Sequence, residues 1–77
     1  MKVTQIKSYS VQGESGRSYF IIRVDTDAGH YGLGEIGIGG WGVAIGHAIE
    51  HLSELVVGAD PWETERLWKE MFRSGFF

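Results

Sequence analysis

The sequence contains no cysteine and one proline, and its 7 basic residues are outnumbered by 10 acidic ones. Without cysteine, neither a disulfide framework nor a thiolate metal site can stabilise the fold, and no oxidising compartment is indicated. The net charge of −3, with basic residues scattered along the chain, gives no footprint for nucleic acid or an anionic membrane. No apolar run approaches a membrane span, and residues 1–5 have no apolar h-region of the kind found in signal peptides. We therefore expect a cytoplasmic protein without a nucleic-acid or membrane partner.

The chain is small for an independent domain and unusually rich in glycine, with 12 glycines among 77 residues. Its 43% apolar content is that of an ordinary globular chain. A domain of this size buries only about 60% of the surface that its unfolded chain exposes. The fold is therefore expected to draw stability from a partner or from additional chain.

Hydrophobic periodicity divides the chain into an extended half and a helical half, which predicts an α+β fold. Strands are predicted at residues 3–11, 19–24 and 30–35, giving a three-stranded antiparallel meander within residues 1–35. Gly29 suits a left-handed position in the second turn. The alternation slips between Val3 and Ile6, which indicates a bulge. With one layer of helices available, one sheet face or one end should stay open.

A loop over residues 36–41 leads to a predicted helical hairpin, with helices over residues 41–57 and 61–74. Gly58 is positioned to cap the first helix at its C-terminus. The second helix has start signals at Asp60 as N-cap, Pro61 at the first helical position and Glu63 completing a capping box. The predicted apolar stripes are Ile45, Ala48, Ile49, Leu52, Leu55 and Val56 in the first helix, and Thr64, Leu67, Trp68, Met71 and Phe72 in the second.

One motif spells the dinucleotide-binding fingerprint, at residues 32–37 (GLGEIG). Its context differs from that of a nucleotide site, because Glu35 would place a carboxylate in the anion site. The preceding strand also leaves a hairpin, whereas the fingerprint belongs to the first strand of a parallel βαβ unit. We expect instead that Gly32 and Gly34 lie where the backbone passes close to packed side chains.

A second motif, residues 47–51 (HAIEH), matches the H-x-x-E-H pattern of one zinc peptidase class. Helical geometry turns both histidines and Glu50 away from the apolar stripe. A solvated helix face is therefore the expected environment, rather than a shaped, dry pocket.

Two glycine-containing loops, residues 12–17 and 36–41, are the remaining candidate site. Each leaves a strand of the same meander, so they could lie near one another. Trp41 beside two glycines suits a lid over a ligand, but it could equally staple the first helix to the sheet. Glu14 and Arg17 could contact a polar ligand, and a solvated loop tip explains them as well.

Three segments of the sequence resemble a known family. Residues 24–35 (VDTDAGHYGLGE), 58–61 (GADP) and 65–73 (ERLWKEMFR) are similar to the N-terminal capping domain of the mandelate racemase/muconate lactonizing branch of the enolase superfamily. The resemblance covers essentially the whole chain. Within that branch, residues 71–76 (MFRSGF) are most similar to acid-sugar dehydratases of the galactonate dehydratase type.

The resemblance implies a domain that packs over the mouth of a (β/α) barrel, with two mobile loops that close over a sugar acid or another carboxylate. It implies a Mg²⁺-dependent reaction that abstracts the proton α to the carboxylate, followed by dehydration. Racemase, epimerase or cycloisomerase chemistry is the alternative within the family. By match to the loops, the implied substrate-capping residues are Glu14, Arg17, Gly37, Gly39, Gly40 and Trp41.

The family's base and metal ligands stand on the barrel strands, which this chain does not contain, so no catalytic residue and no metal ligand is assigned to it. The 77-residue chain alone is expected to be inactive. Phe76 and Phe77 leave two aromatic residues at the chain end, which favours a fragment of a longer enzyme. The full enzyme is expected to be a homo-oligomer. The alternative of another class is a free-standing module that acts by binding a partner or by oligomerisation.

Overall fold

The computed structural model describes residues 1–16, 18–37 and 40–74. Its elements, in chain order, are the strands β1 (Val3–Gln12), β2 (Ser18–Thr26) and β3 (Tyr31–Ile36) and the helices α1 (Gly42–Val56) and α2 (Thr64–Ser74). The strands form one antiparallel sheet in the order β1-β2-β3. The predicted fold, a three-stranded meander followed by two helices, is confirmed.

The details of the sheet follow the sequence closely. The register of β1 against β2 shifts between Val3 and Gln5, where the slipped alternation predicted a bulge. Gly29 has a φ of 81° in the turn from β2 to β3, as expected of a glycine at a left-handed position. Strand β3 begins at Tyr31 and extends through Ile36, one residue beyond the predicted end of the sheet.

Helix α1 packs on the sheet through part of the predicted stripe together with two glycines outside it. Its buried residues are Gly42, Gly46 and Val56. Of the other predicted stripe residues, Ile45, Ile49 and Leu52 are half-buried, whereas Ala48 and Leu55 are exposed. A Cβ built on Gly42 would lie 2.2 Å from carbons of the Phe20 ring. The glycines let the helix backbone approach the sheet closely, which a count of apolar side chains does not register.

Helix α2 begins at Thr64, three residues later than predicted, and the capping box is not formed. The Asp60 carboxylate instead accepts a hydrogen bond from the Trp62 backbone N–H at 3.0 Å, and the Glu63 N–H donates to the Asp60 carbonyl at 3.1 Å. Aspartate often closes such a local turn in competition with a helix start. Pro61 therefore lies in a turn that precedes the helix.

The core is small and lies between the start of β1 and the two helices. In the described part of the chain, the buried apolar residues are Val3, Val56 and Leu67. Val3 is also fixed by its backbone, because its N–H donates to Ala59 at 2.9 Å and its carbonyl accepts from Gly58 at 2.7 Å. Gly58 has a φ of 89° just after α1, at the place predicted for the C-terminal cap.

Side-chain alternation gives the sheet a helix-facing side and an open side. Phe20 and Ser8 approach the glycines of α1, so they and their cross-strand partners form the helix-facing side. The alternate residues form the open side, which was expected from the single helix layer. Its exposed apolar residues are Tyr9, Val11, Tyr19, Tyr31 and Leu33.

The expectation that Gly32 and Gly34 lie under packed side chains is wrong. A Cβ added to either glycine would have nothing within 4 Å. The reason is the position of α1, which packs on β1 at the other edge of the sheet and leaves the helix-facing side of β3 uncovered. No helix in the described ranges is long and apolar enough to cross a membrane.

Candidate functional site

The two candidate loops leave the sheet at the same end. The hairpin between β1 and β2 closes at the pair Gln12 and Ser18. Strand β3 ends at Ile36, which pairs with Phe20, two residues along β2 from that hairpin. The segments that follow Gln12 and Ile36 therefore both project from this end, which we call the loop end.

The first loop is a short turn with its polar side chain in solvent. Gly16 has a φ of 79°, and its N–H donates to the Gly13 carbonyl at 3.1 Å. Glu14 is exposed within this turn. Arg17, the second charged residue predicted here, lies outside the described residues.

The second loop presents an aromatic side chain. Gly37 and Gly40 are exposed, and Gly40 has a φ of 81°, while Gly39 lies outside the described residues. Trp41 precedes α1 and its carbonyl accepts the helix's first hydrogen bond, from Ile45 at 2.9 Å. The residue remains 62% exposed, so it does not staple α1 to the sheet by burial. A large apolar surface held at a loop end is available for a ligand or a covering domain.

A shallow groove of about 210 Å³ lies beside the second loop, between β1 and the start of α1. Its polar lining comes from Ser8, Ser10, His47 and Glu50. The His47 Nδ1 and Glu50 Oε2 atoms are 3.6 Å apart, and both side chains are about three-quarters exposed, at 76% and 73%. The solvated helix face predicted for the HAIEH motif is therefore observed.

The described residues include no group of three or more His, Cys, Asp or Glu side chains placed to hold a metal ion. A catalytic magnesium site needs several oxygen ligands that converge on one point. The residues described in this chain do not fit such a site.

A second cavity, of about 290 Å³, lies at the opposite end of the sheet from the loops. It is mainly apolar and is bounded by the turn into β3 and by the connection between the helices. Its lining includes Met1, Val24, His30, Gly32, Pro61 and Trp62. Of this cavity and the groove, only the groove borders a candidate loop.

The described side chains with a shifted pKa lie away from both loops. The hydrogen bond from Arg23 to Asp25, at 2.8 Å, raises the pKa of the Arg23 guanidinium above its ordinary value. Hydrogen bonds to Glu63 and Glu70 raise the pKa of Arg66 in the same way. Both arginines are fully charged in any case, so these pairs position side chains and supply no acid or base.

Comparison with known proteins identifies the chain at the level of family. Residues 3–77 match the N-terminal domain of mandelate racemase / muconate lactonizing enzyme. D-galactonate dehydratases from Verminephrobacter eiseniae and Ralstonia pickettii are 34% and 32% identical to it over 77 residues. Each alignment covers 100% of this chain and 19% of the relative, so the chain spans about a fifth of the length of these relatives.

Solved structures agree with the sequence match. A protein from Zymomonas mobilis, provisionally assigned as a dehydratase, superposes with a TM-score of 0.84 at 35% identity, over 97% of this chain and 20% of that one. A mandelate racemase/muconate lactonizing enzyme homologue from Roseovarius nubinhibens, complexed with magnesium, gives a TM-score of 0.61 at 29% identity over 92% of this chain and 23% of that one. The chain therefore belongs to the mandelate racemase/muconate lactonizing enzyme family, and it corresponds to the N-terminal domain.

Proposed function

We propose that this chain is the substrate-capping and specificity domain of a Mg²⁺-dependent acid-sugar dehydratase. The observation that carries the proposal is the 34% identity to a D-galactonate dehydratase along the entire chain. The reaction would remove the proton α to a carboxylate and then eliminate water, with the base and the metal ligands on a barrel domain outside this chain. The homologue that is complexed with magnesium supports the choice of metal.

The role of this chain would be to close the site rather than to perform the chemistry. Both loops project from one end of the sheet, and the second carries the exposed Trp41. A loop closure of this kind excludes water and fixes the substrate, and glycines at positive φ such as Gly16 and Gly40 allow the backbone to bend there. Glu14 and Arg17 would supply polar contacts to the hydroxyl or carboxylate groups of the sugar acid.

The test is a chimera in which this chain replaces the matching N-terminal fifth of the Verminephrobacter eiseniae D-galactonate dehydratase. We expect the chimera to dehydrate D-galactonate with Mg²⁺ and to lose activity with a chelator, whereas the 77-residue chain alone shows no turnover. In the chimera, Trp41→Ala should lower kcat/KM by about tenfold or more, since a displaced closing group misplaces the substrate. Its melting temperature should stay within about 2 °C of the parent, because Trp41 is largely exposed.

Trp62→Ala is the matched control, because Trp62 is also an exposed tryptophan but lies at the opposite end of the sheet. It should leave kcat/KM unchanged. An equal loss of activity in both variants would contradict a specific role for Trp41. Turnover by the isolated chain would contradict the assignment of the chemistry to another domain.

Racemisation, epimerisation or cycloisomerisation is the second candidate chemistry, because the Roseovarius nubinhibens homologue is named for the racemase and lactonizing branch as a whole. The chimera does not separate these reactions from dehydration, because its barrel is that of a dehydratase; the longer protein that contains this chain, assayed with its own barrel, does. Exchange of the α proton with solvent deuterium, without loss of water from the substrate, would favour the racemase or epimerase alternative over the dehydratase.

A further inference from the structure

Helix α1 carries two histidines and two glutamates on one side. His47, Glu50, His51 and Glu54 fall within an arc of about 100° around the helix axis, at about 3.6 residues per turn. All four are exposed, so dissolved ions can reach them. We call this set the His/Glu face. The function proposed above for the two loops makes no use of it.

The charge of the His/Glu face favours a cation. Helix α1 contains Glu50 and Glu54 but no lysine or arginine. Neither carboxylate forms an ion pair with a lysine or arginine in the described part of the chain, where the ion-pair partner of Glu50 is His47. With neutral histidines the face therefore carries two uncompensated negative charges, which attract positive ions.

The two histidines are spaced to hold one ion between them. His47 and His51 are four residues apart, so their Cβ atoms lie about 5–6 Å from each other on neighbouring turns of the helix. A Zn–N bond is about 2.0–2.1 Å long, so a single ion can bond to one nitrogen of each ring. Imidazole nitrogen suits Zn²⁺, Ni²⁺ and Cu²⁺, whereas Mg²⁺ prefers oxygen ligands.

Glu50 is placed to orient one of the two rings. Its Oε2 atom lies 3.6 Å from Nδ1 of His47. A carboxylate on this side of the ring favours the tautomer that carries its proton on Nδ1, which leaves the lone pair of Nε2 for a metal. Histidine ligands of metal ions are commonly backed by a carboxylate in this way. Glu50 therefore has the position of a second residue behind the ligand.

We propose that the His/Glu face binds a divalent transition-metal ion such as Zn²⁺ or Ni²⁺, with His47 and His51 as its protein ligands and Glu50 as a positioning residue. Water completes the coordination, because the described residues include no group of three or more His, Cys, Asp or Glu side chains placed to hold one ion. The site binds metal without hydrolysing a substrate, since a zinc peptidase centre has three protein ligands and a shaped pocket. It is separate from the magnesium site proposed for the barrel domain.

The experiment is isothermal titration calorimetry of the 77-residue chain with Ni²⁺, with circular dichroism as a check that each variant is folded. The unchanged chain should bind one Ni²⁺ with a dissociation constant below about 1 mM, and should not bind Mg²⁺ in this range. His47→Gln or His51→Gln alone should weaken binding by about tenfold or more, because the second imidazole otherwise binds intramolecularly. Glu50→Gln should weaken it by a smaller factor. His30→Gln, which changes the remaining histidine of the chain, should leave it unchanged.

A spacing variant gives the decisive arm. His51→Gln combined with Glu54→His keeps two histidines on the same face but places them seven residues apart, about 10 Å along the helix axis and too far for one ion. It should bind Ni²⁺ no more tightly than His51→Gln alone. An affinity equal to that of the unchanged chain, or no saturable binding by the unchanged chain below about 1 mM, would overturn the proposal.

Thermal unfolding tests whether the helix holds the two ligands at this spacing. A metal that binds the folded chain in preference to the unfolded one raises the melting temperature, and Ni²⁺ at about 100 times its dissociation constant should raise it by about 10 °C. The spacing variant should show little or no rise at the same Ni²⁺ concentration. Binding by the unchanged chain without a rise in melting temperature would mean that the ion does not need the helix, which would also overturn the proposal.

Discussion

The two sides of the sheet differ in what covers them, although they share the same strands. On the helix-facing side, Val3 and Val56 are buried, and Gly42 of α1 lies so close to Phe20 that an added Cβ would be 2.2 Å from carbons of the ring. On the open side, Tyr31 and Leu33 are more than half exposed. The helix-facing side therefore holds the chain's own core, and the open side holds apolar surface for which the described residues supply no cover.

The helix-facing side is itself unevenly covered. Over β1, Gly42 and Gly46 bring α1 close to the sheet, whereas over β3 the positions of Gly32 and Gly34 face empty space. The glycines therefore have two different roles: at one edge they allow a close helix contact, and at the other they leave the surface unfilled. We expect the stability of the fold to depend on Gly42 and Gly46 much more than on Gly32 and Gly34.

The largest expected effect is loss of the core on the helix side. Leu67 is 6% exposed, so Leu67→Ala should lower the free energy of unfolding by about 2–5 kcal/mol. With so small a core, a loss of this size leaves little folded chain, so the circular dichroism of the helices should largely disappear. For variants that still fold, urea titration at low protein concentration measures the free energy of unfolding.

Leu33→Ala on the open side is the control for this substitution, since it removes the same atoms from a residue that is 66% exposed. It should cost less than about 1 kcal/mol in the monomer. Equal losses at both positions would show that the open side also contributes to the core, and the contrast between the two sides would be wrong.

The order and type of the elements could be predicted because their periodicity is unambiguous, and the bulge near Val3 and the turn at Gly29 have local causes. The close contact of α1 with the sheet could not be predicted, because Gly42 and Gly46 have no apolar side chain for a periodicity search to find. The predicted start of α2 was wrong because Asp60 and Pro61 fit a turn as well as a helix cap. The turn forms instead, stabilised by the hydrogen bond that the Asp60 carboxylate accepts from the Trp62 N–H.

For the candidate site, the positions of the loops could be predicted from the sequence but their role could not. Residue spacing indicated two loops that leave one sheet, and the register confirms that they leave it at the same end. Their assignment to substrate capping came from resemblance to a family and stays a prediction. No spacing rule within this chain could identify a base or a metal ligand, because catalytic groups in barrel enzymes stand at the ends of barrel strands.

An intermediate effect is expected where α1 meets the sheet. Gly42→Ala places a Cβ against the Phe20 ring, and the overpacking should exceed the gain in helix propensity, for a net loss of about 1–2 kcal/mol. Gly46→Ala is the matched variant, because its nearest neighbour is the Ser8 hydroxyl at 3.3 Å, which can rotate away. It should be neutral or stabilising by up to about 1 kcal/mol. Thermal unfolding of the two variants side by side measures the difference, and a Gly42→Ala variant as stable as Gly46→Ala would show that the Phe20 ring moves aside freely.

The smallest effect is expected at the uncovered edge, and its sign is the informative quantity. Gly34→Ala meets no neighbour within 4 Å, so in the 77-residue chain it should stabilise by about 0.4–1 kcal/mol through the reduced entropy of the unfolded chain. Made in the D-galactonate dehydratase chimera, the same substitution tests whether another part of the longer protein fills this space. A gain in melting temperature in the chain together with a loss in the chimera would mean that β3 is covered on its helix-facing side in the longer protein. A gain in both proteins would mean that the edge stays uncovered, and that the glycine at this position is not needed for packing in either context.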